Sequence, residues 1–283
     1  MSDTKYVGSK PNIYQYHEYR TFLKDWISYL QKDQPEFSIR KLSQKCDFAV
    51  GYLPMVLNGK RNLSETSFDT LKKHLKMKTD EISYLKYMIT MNDTDSREKR
   101  LEVLKKMQKF QKYSDENAKE LEAYKYLTKW QYVALREMAQ LDEFKNDKEW
   151  IQERMTFAVT PKEISEGLEF LMRGQFIEDN GKGKLKVKDK ILDCFEGVYR
   201  LSLGEFYKQI FQLAIESIET VPRNERLLLG HTLAVSNEAF EQISKVLTEA
   251  LEKVREIEKK DTKKDRVYQV SFTAFPMTKK GSK

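Results

Sequence analysis

The chain has 283 residues, more than one hydrophobic core usually serves, so its length predicts two or three domains. With 40% hydrophobic and 34% charged residues it has a globular composition, and no apolar run reaches the roughly 18 residues of a membrane span, which excludes an embedded class and a membrane partner. The net charge of +7 fits a polyanionic partner, while two isolated cysteines, Cys46 and Cys194, make neither a disulfide framework nor a metal pair. The opening MSDTKYVGSKPNIY lacks the apolar core of a secretory signal, so a cytoplasmic protein without cofactor is expected.

In chain order, Tyr19, Phe22, Leu23, Trp26, Ile27 and Leu30 recur at helical spacing and predict a first helix with one buried stripe. Ser38 stands where an N-cap oxygen is useful, and SIRKLSQKC predicts a short helix with Ile39 and Leu42 inside. A turn at Asp47 and Phe48 leads to a second short helix, LPMVLNG, closed by Asn58 and Gly59, which both tolerate left-handed backbone. Ser64, Glu65 and Thr66 open FDTLKKHLKM, and TDEISYLKYMITM completes a five-helix unit over residues 1–91. A charged linker helix follows within 92–123, whose thin stripe of Leu101, Leu104 and Met107 either packs on a neighbouring domain or forms a dimer seam.

Over 124–198 the helices KWQYVALREMAQL, DKEWIQERM and TPKEISEGLEFLMRG precede QFIED, the turn NGKG and KLKVKDKI. Thr160 with Pro161 and Glu163 is a strong helix start, and Asn-Gly between alternating segments predicts a hairpin, giving three helices and a wing. The remainder, 199–283, carries a helix at about 203–220, the apolar strand RLLLGHTLAV, a helix from Asn237 to about Lys259, and the strand RVYQVSFTAF. Strand, helix and strand predict a small α/β module with parallel strands for dimerisation or sensing. Two strands need a third element, either the wing or a second subunit. The expected fold class is thus mainly α: a helix-turn-helix unit, a linker helix, a winged-helix-like middle and a C-terminal α/β module.

The segment AVGYLPMVLNGKRNLS resembles the lambda-repressor-like, Xre-type helix-turn-helix family. The whole chain, through YKYLTKWQYVALREM and VYQVSFTAFPMT, resembles bacterial putative transcriptional regulators that join such a unit to a conserved domain of unknown function. The resemblance implies regulation and no catalytic residues. The groove-facing positions it implies are Val50, Gly51, Pro54 and Met55, with Phe48, Leu53 and Val56 turned inward. None of the four can hydrogen-bond a base edge, where discrimination is worth about 1–3 kcal/mol per bidentate pair. Pro54 inside a helix begun at Ala49 would cost about 3 kcal/mol, so a shortened helix starting near Leu53 is expected.

Phosphate contacts are a different matter. Between Phe37 and Lys76 eight basic residues face three acidic ones, a surplus of +5, and Arg40, Lys41, Lys45, Lys60 and Arg61 are the expected contacts to double-stranded DNA. On the wing, Lys184, Lys186, Lys188 and Lys190 alternate with apolar residues and predict a basic face, available to a backbone or anionic ligand or serving only solubility. The preceding helix shows Glu163, Glu166 and Glu169, which oppose phosphate, so this module is expected to pack or dimerise. GKGK at 181–184 lacks P-loop spacing. His17, His74 and His231 carry no metal signature, and His231, in an apolar strand, is the one expected to be buried. Trp130, Tyr132, Trp150, Phe206, Tyr207 and Phe211 read as core. The chain is read as a non-enzymatic, homodimeric DNA-binding regulator, with a small-molecule effector or protein partner open. The alternative is a signalling adaptor whose Val50, Pro54 and Met55 contact a protein.

Overall fold

The structure, a computed structural model, describes residues 9–34, 38–180, 185–188 and 195–279. The turn GKGK, Lys184, Lys190 and Cys194 lie outside the described residues. The protein is mainly helical, and its chain divides into two compact units, residues 1–125 with 192–202 and residues 126–191 with 203–283.

In the first unit, the helices are α1 (Tyr19–Asp33), α2 (Ile39–Lys45), α3 (Tyr52–Leu57), α4 (Glu65–Leu71), α5 (Thr79–Asp93), α6 (Arg97–Met107), α7 (Gln111–Glu116) and most of α8 (Ala118–Leu127). Each start has a local cause. Glu18 accepts from the Thr21 N–H at 2.8 Å, and Ser38, Ser64 and Ser96 accept from the N–H three residues on at 3.2 Å. All six stripe residues of α1 are buried. Trp26 satisfies its indole N–H on the Leu75 carbonyl at 2.7 Å. The lysine-rich α6 packs inward: Val103, Leu104 and Met107 join the same core, as do Tyr113, Val198 and Leu201.

The second unit holds α9 (Trp130–Met138), α10 (Lys148–Arg154), α11 (Pro161–Arg173), a hairpin of β1 (Ile177–Asp179) with β2 (Leu185–Val187), the larger part of α12 (Glu196–Thr220), and α13 (Asn237–Lys260). Thr160 and Glu163 form the expected capping box, the Thr160 N–H donating to Glu163 at 2.9 Å and the Glu163 N–H to Thr160 Oγ1 at 3.2 Å. Gly167 lets α11 approach α9: a Cβ there would stand 2.5 Å from Leu135 Cδ1. Tyr132 stacks on Phe170 at 4.8 Å and Tyr126 on Phe176 at 4.5 Å. The hairpin is antiparallel, Glu178 opposite Lys186.

Two expectations are corrected. Helix α12 starts earlier than residue 203, because Val198 and Leu201 find a buried apolar setting that extends its pattern. The C-terminal α/β module does not close within one chain. Helix α13 forms as expected, capped by Ser236, but residues 226–236 and 266–275 join no sheet among the described residues. Neither segment finds a strand beside it, and an isolated strand leaves its backbone groups to water.

Candidate nucleic-acid interface

Helices α2 and α3 are joined by residues 46–51. Asp47 ends α2 in left-handed backbone (φ 53°), with the Phe48 N–H donating to the Ser43 carbonyl at 2.9 Å and the Asp47 N–H to Gln44 at 3.1 Å. Gly51 (φ 84°) then turns the chain into α3, whose first helical bond runs from the Met55 N–H to the Gly51 carbonyl at 2.9 Å. Pro54 therefore falls among the first-turn residues whose N–H groups have no helical acceptor, and it costs no backbone bond. The shortened helix expected from the sequence forms, beginning at Tyr52. Of its closing pair, Gly59 alone is left-handed (φ 72°), and the Lys60 N–H reaches back to the Met55 carbonyl at 2.9 Å.

A polar cluster from α1 and α5 holds the far end of α3. The Arg20 guanidinium donates to the Val56 carbonyl at 3.1 Å, to Asn62 Oδ1 at 3.0 Å, to Glu18 at 3.0 Å and to Asp93 at 2.8 Å. Asp93 also accepts from the Tyr19 hydroxyl at 2.9 Å and the Leu63 N–H at 3.3 Å. Burial, with that bond to Asp93, pushes the Tyr19 hydroxyl pKa well up. The segment carrying Lys60 and Arg61 is thereby fixed at both ends. The sequence does not disclose Arg20's role, since its partners Asn62 and Asp93 lie 42 and 73 residues away; the one local sign is an arginine beside the apolar stripe of α1.

Leu53 and Val56 are fully buried, whereas Val50, Pro54 and Met55 are exposed and Gly51 half-buried. Arg40, Lys41, Lys45, Lys60 and Arg61 are all exposed. Among the described residues no carboxylate pairs with Arg40, Lys41, Lys60 or Arg61, and Arg61 lies 5.8 Å from the centre of the Tyr52 ring. By contrast, Lys72 is paired with Asp69 at 2.6 Å and Lys86 with Glu65 at 2.7 Å. The uncompensated charge thus flanks α3 on the α2 side and at its closing turn.

The wing is different. Of its four lysines, Lys186 and Lys188 are described, and Lys188 Nζ is 2.5 Å from Glu178 while its carbonyl accepts from Arg136 at 2.9 Å. An acidic residue on β1 therefore offsets the basic face expected from the alternation. On α11, Glu163 is spent in the capping box, and Glu166 lies 3.8 Å from Lys129 and 3.9 Å from Lys162.

The second unit contains a cavity of about 530 Å³, lined by Trp130, Met138, Phe157, Phe206, Ile210 and Tyr268 among others. Tyr132 and Phe206 are buried as expected, whereas Trp130 is half-buried at the edge of this void and Tyr207 and Phe211 are exposed, where all were expected in a core. Arg154 at its edge is paired with Glu143 at 3.0 Å and lies over Trp150. His231 is exposed, contrary to expectation, because the segment around it joins no sheet among the described residues. In the first unit, half-buried His17 stacks on Phe195 at 4.4 Å, with Nε2 3.5 Å from the buried Glu120 carboxylate. No group of three or more His, Cys, Asp or Glu suited to a metal occurs among the described residues, and no helix there is long and apolar enough to cross a membrane.

No curated protein and no solved structure matches the chain. One family does, over residues 104–277, and it takes in the cavity, the hairpin and α13 while leaving α2 and α3 outside. That span is more than half of the sequence, and the chain belongs to the family described as Domain of unknown function (DUF4423).

Proposed function

We propose that the protein is a cytoplasmic, DNA-binding transcriptional regulator that docks a helix-turn-helix, α2 and α3, on duplex phosphates. The observation that carries this reading is the set of four exposed cations, Arg40, Lys41, Lys60 and Arg61, paired with no carboxylate among the described residues, around a short helix held rigidly at its end by Arg20. The exposed side chains of α3 are apolar, so affinity comes from the backbone and from shape more than from base edges. In a homodimer, two such units would read half-sites about 34–36 Å apart. A small-molecule effector of this regulator would enter the 530 Å³ cavity of the second unit.

Fluorescence anisotropy on a labelled random duplex tests the reading. Affinity should fall with salt at a log–log slope of about −3 to −4, and Lys60→Glu with Arg61→Glu should abolish binding, since each lost phosphate contact removes about one unit of slope. Wild-type protein that ignores duplex even at low salt overturns it. One observation favours a second reading: Val50 is wholly exposed next to exposed Pro54 and Met55, an arrangement suited to a signalling adaptor's protein contact. Under that reading Val50→Asp releases a protein partner and leaves duplex binding unmoved.

A further inference from the structure

Among the described residues, three C-terminal stretches, 227–235, α13 and 266–276, bury no apolar side chain. Residues 227–235 and 266–276 make no backbone-to-backbone hydrogen bond with any described residue, yet they carry Leu227, Leu229, Val270 and Phe275, with Leu229 85% and Phe275 72% exposed. These are strand-forming sequences that join no ladder among the described residues, and a row of backbone groups outside any ladder, flanked by apolar side chains, is a template for another strand. Between them, α13 buries no residue. Its apolar positions Phe240, Ile243, Leu247, Ala250, Val254 and Ile257 follow alternating steps of three and four, the spacing of a seam that meets another helix.

The helix also carries information about its partner. Its first half, 238–249, has Glu238, Glu241 and Glu249 against Lys245, a net of −2; its second, 252–260, has Lys253, Arg255, Lys259 and Lys260 against Glu252, Glu256 and Glu258, a net of +1. Two copies of this helix laid antiparallel place each negative half beside a positive half, and oppose their dipoles favourably as well. A parallel pair places like halves together. The seam is therefore complementary to itself under a two-fold axis, the property an isologous interface requires.

We propose that the partner of this surface is a second copy of the chain: α13 pairs antiparallel with its copy, and residues 227–235 and 266–276 complete a sheet with the same segments across the axis. The ion pair between Arg266 and Glu225 keeps the starts of the two segments beside each other, and the Asp142 N–H donates to the Lys264 carbonyl at 3.0 Å, tying the second to the body of its unit. This deepens the dimeric part of the reading above and owes nothing to the DNA contact.

Sedimentation equilibrium with backbone hydrogen exchange on the full chain tests it. A dimer at micromolar concentration is expected, with slow exchange at residues 227–235 and 266–276. Leu247→Asp should yield a monomer in which both segments exchange freely, with its other helices still protected, since the single chain uses Leu247 for no closed core. Reversing the acidic half, Glu241→Lys with Glu249→Lys, should weaken dimerisation roughly tenfold, because the axis duplicates each lost pair. Adding Lys253→Glu and Lys259→Glu should restore it. A monomeric wild type, or a dimer whose two segments exchange rapidly or whose affinity ignores the reversals, overturns the proposal. Duplex binding by the same samples keeps the two readings apart: a dimer without affinity for DNA removes the regulator reading alone, and a monomer that binds DNA removes this one alone.

Discussion

Arg20 does the work of several residues, giving its guanidinium to one carbonyl, one amide and two carboxylates while largely shielded from solvent. Removing it takes the charged donor from Asp93, which keeps the Tyr19 hydroxyl and the Leu63 N–H, and a second donor from the Val56 carbonyl, which keeps the Gly59 N–H, so Arg20→Met should lower unfolding stability by about 1–3 kcal/mol in a urea titration. The same change should weaken duplex binding, because Lys60 and Arg61 sit on the segment it braces. Glu163 allows a test by pH. The bonds it accepts from the Thr160 backbone N–H and hydroxyl hold its carboxyl below the usual range. A depressed folded value means the stabilisation is complete above the unfolded value of about 4.3 and fades as pH falls through the folded one. Glu163→Gln keeps the cap but lacks that titration, so its stability difference from wild type should shrink on acidification into that window. Thr160→Ala, which removes the cap itself, should cost about 1 kcal/mol.

At the scale of elements, the closing turn of α3 and the α9–α11 contact each rest on a glycine. Gly59→Ala should cost about 1–2 kcal/mol by forcing a Cβ into left-handed backbone. Gly167→Ala should cost about 1–3 kcal/mol, because the new methyl meets the buried Leu135 side chain. Thermal or urea unfolding of the two variants checks both values. Helix ends were legible in the sequence where the cap is local, as at Ser38, Asp147 and Thr160, since donor and acceptor lie within three residues. The wing was legible for the same reason. Arg20 with Asp93 and His17 with Glu120 were not, because they depend on contacts across 73 and 103 positions of chain. That 226–236 is not helical was readable from its residues, but a ladder needs a neighbour, which the sequence of one chain does not supply. For the candidate site, charge and the apolar face of α3 could be read directly, whereas the rigidity that makes them a surface could not.

For the whole molecule, a chain that completes its C-terminal module with a copy of itself gains stability by mass action. The midpoint of thermal unfolding should therefore rise with protein concentration, and this dependence should vanish in Leu247→Asp. Scanning calorimetry at concentrations about a hundredfold apart checks this. Within the division of the chain into two units, the three tryptophans are unevenly placed: Trp26 belongs to the first, and Trp130 and Trp150 to the second. Trp26 is 2% exposed with its indole N–H held by a carbonyl, while the other two are half-buried. The protein thus carries a built-in pair of optical reporters. Trp26 should emit towards the blue and resist an aqueous quencher such as iodide, and the other two should emit further to the red and quench readily. Trp26→Phe leaves a signal that comes from the second unit alone, so the order in which the two units melt can be followed without any added label.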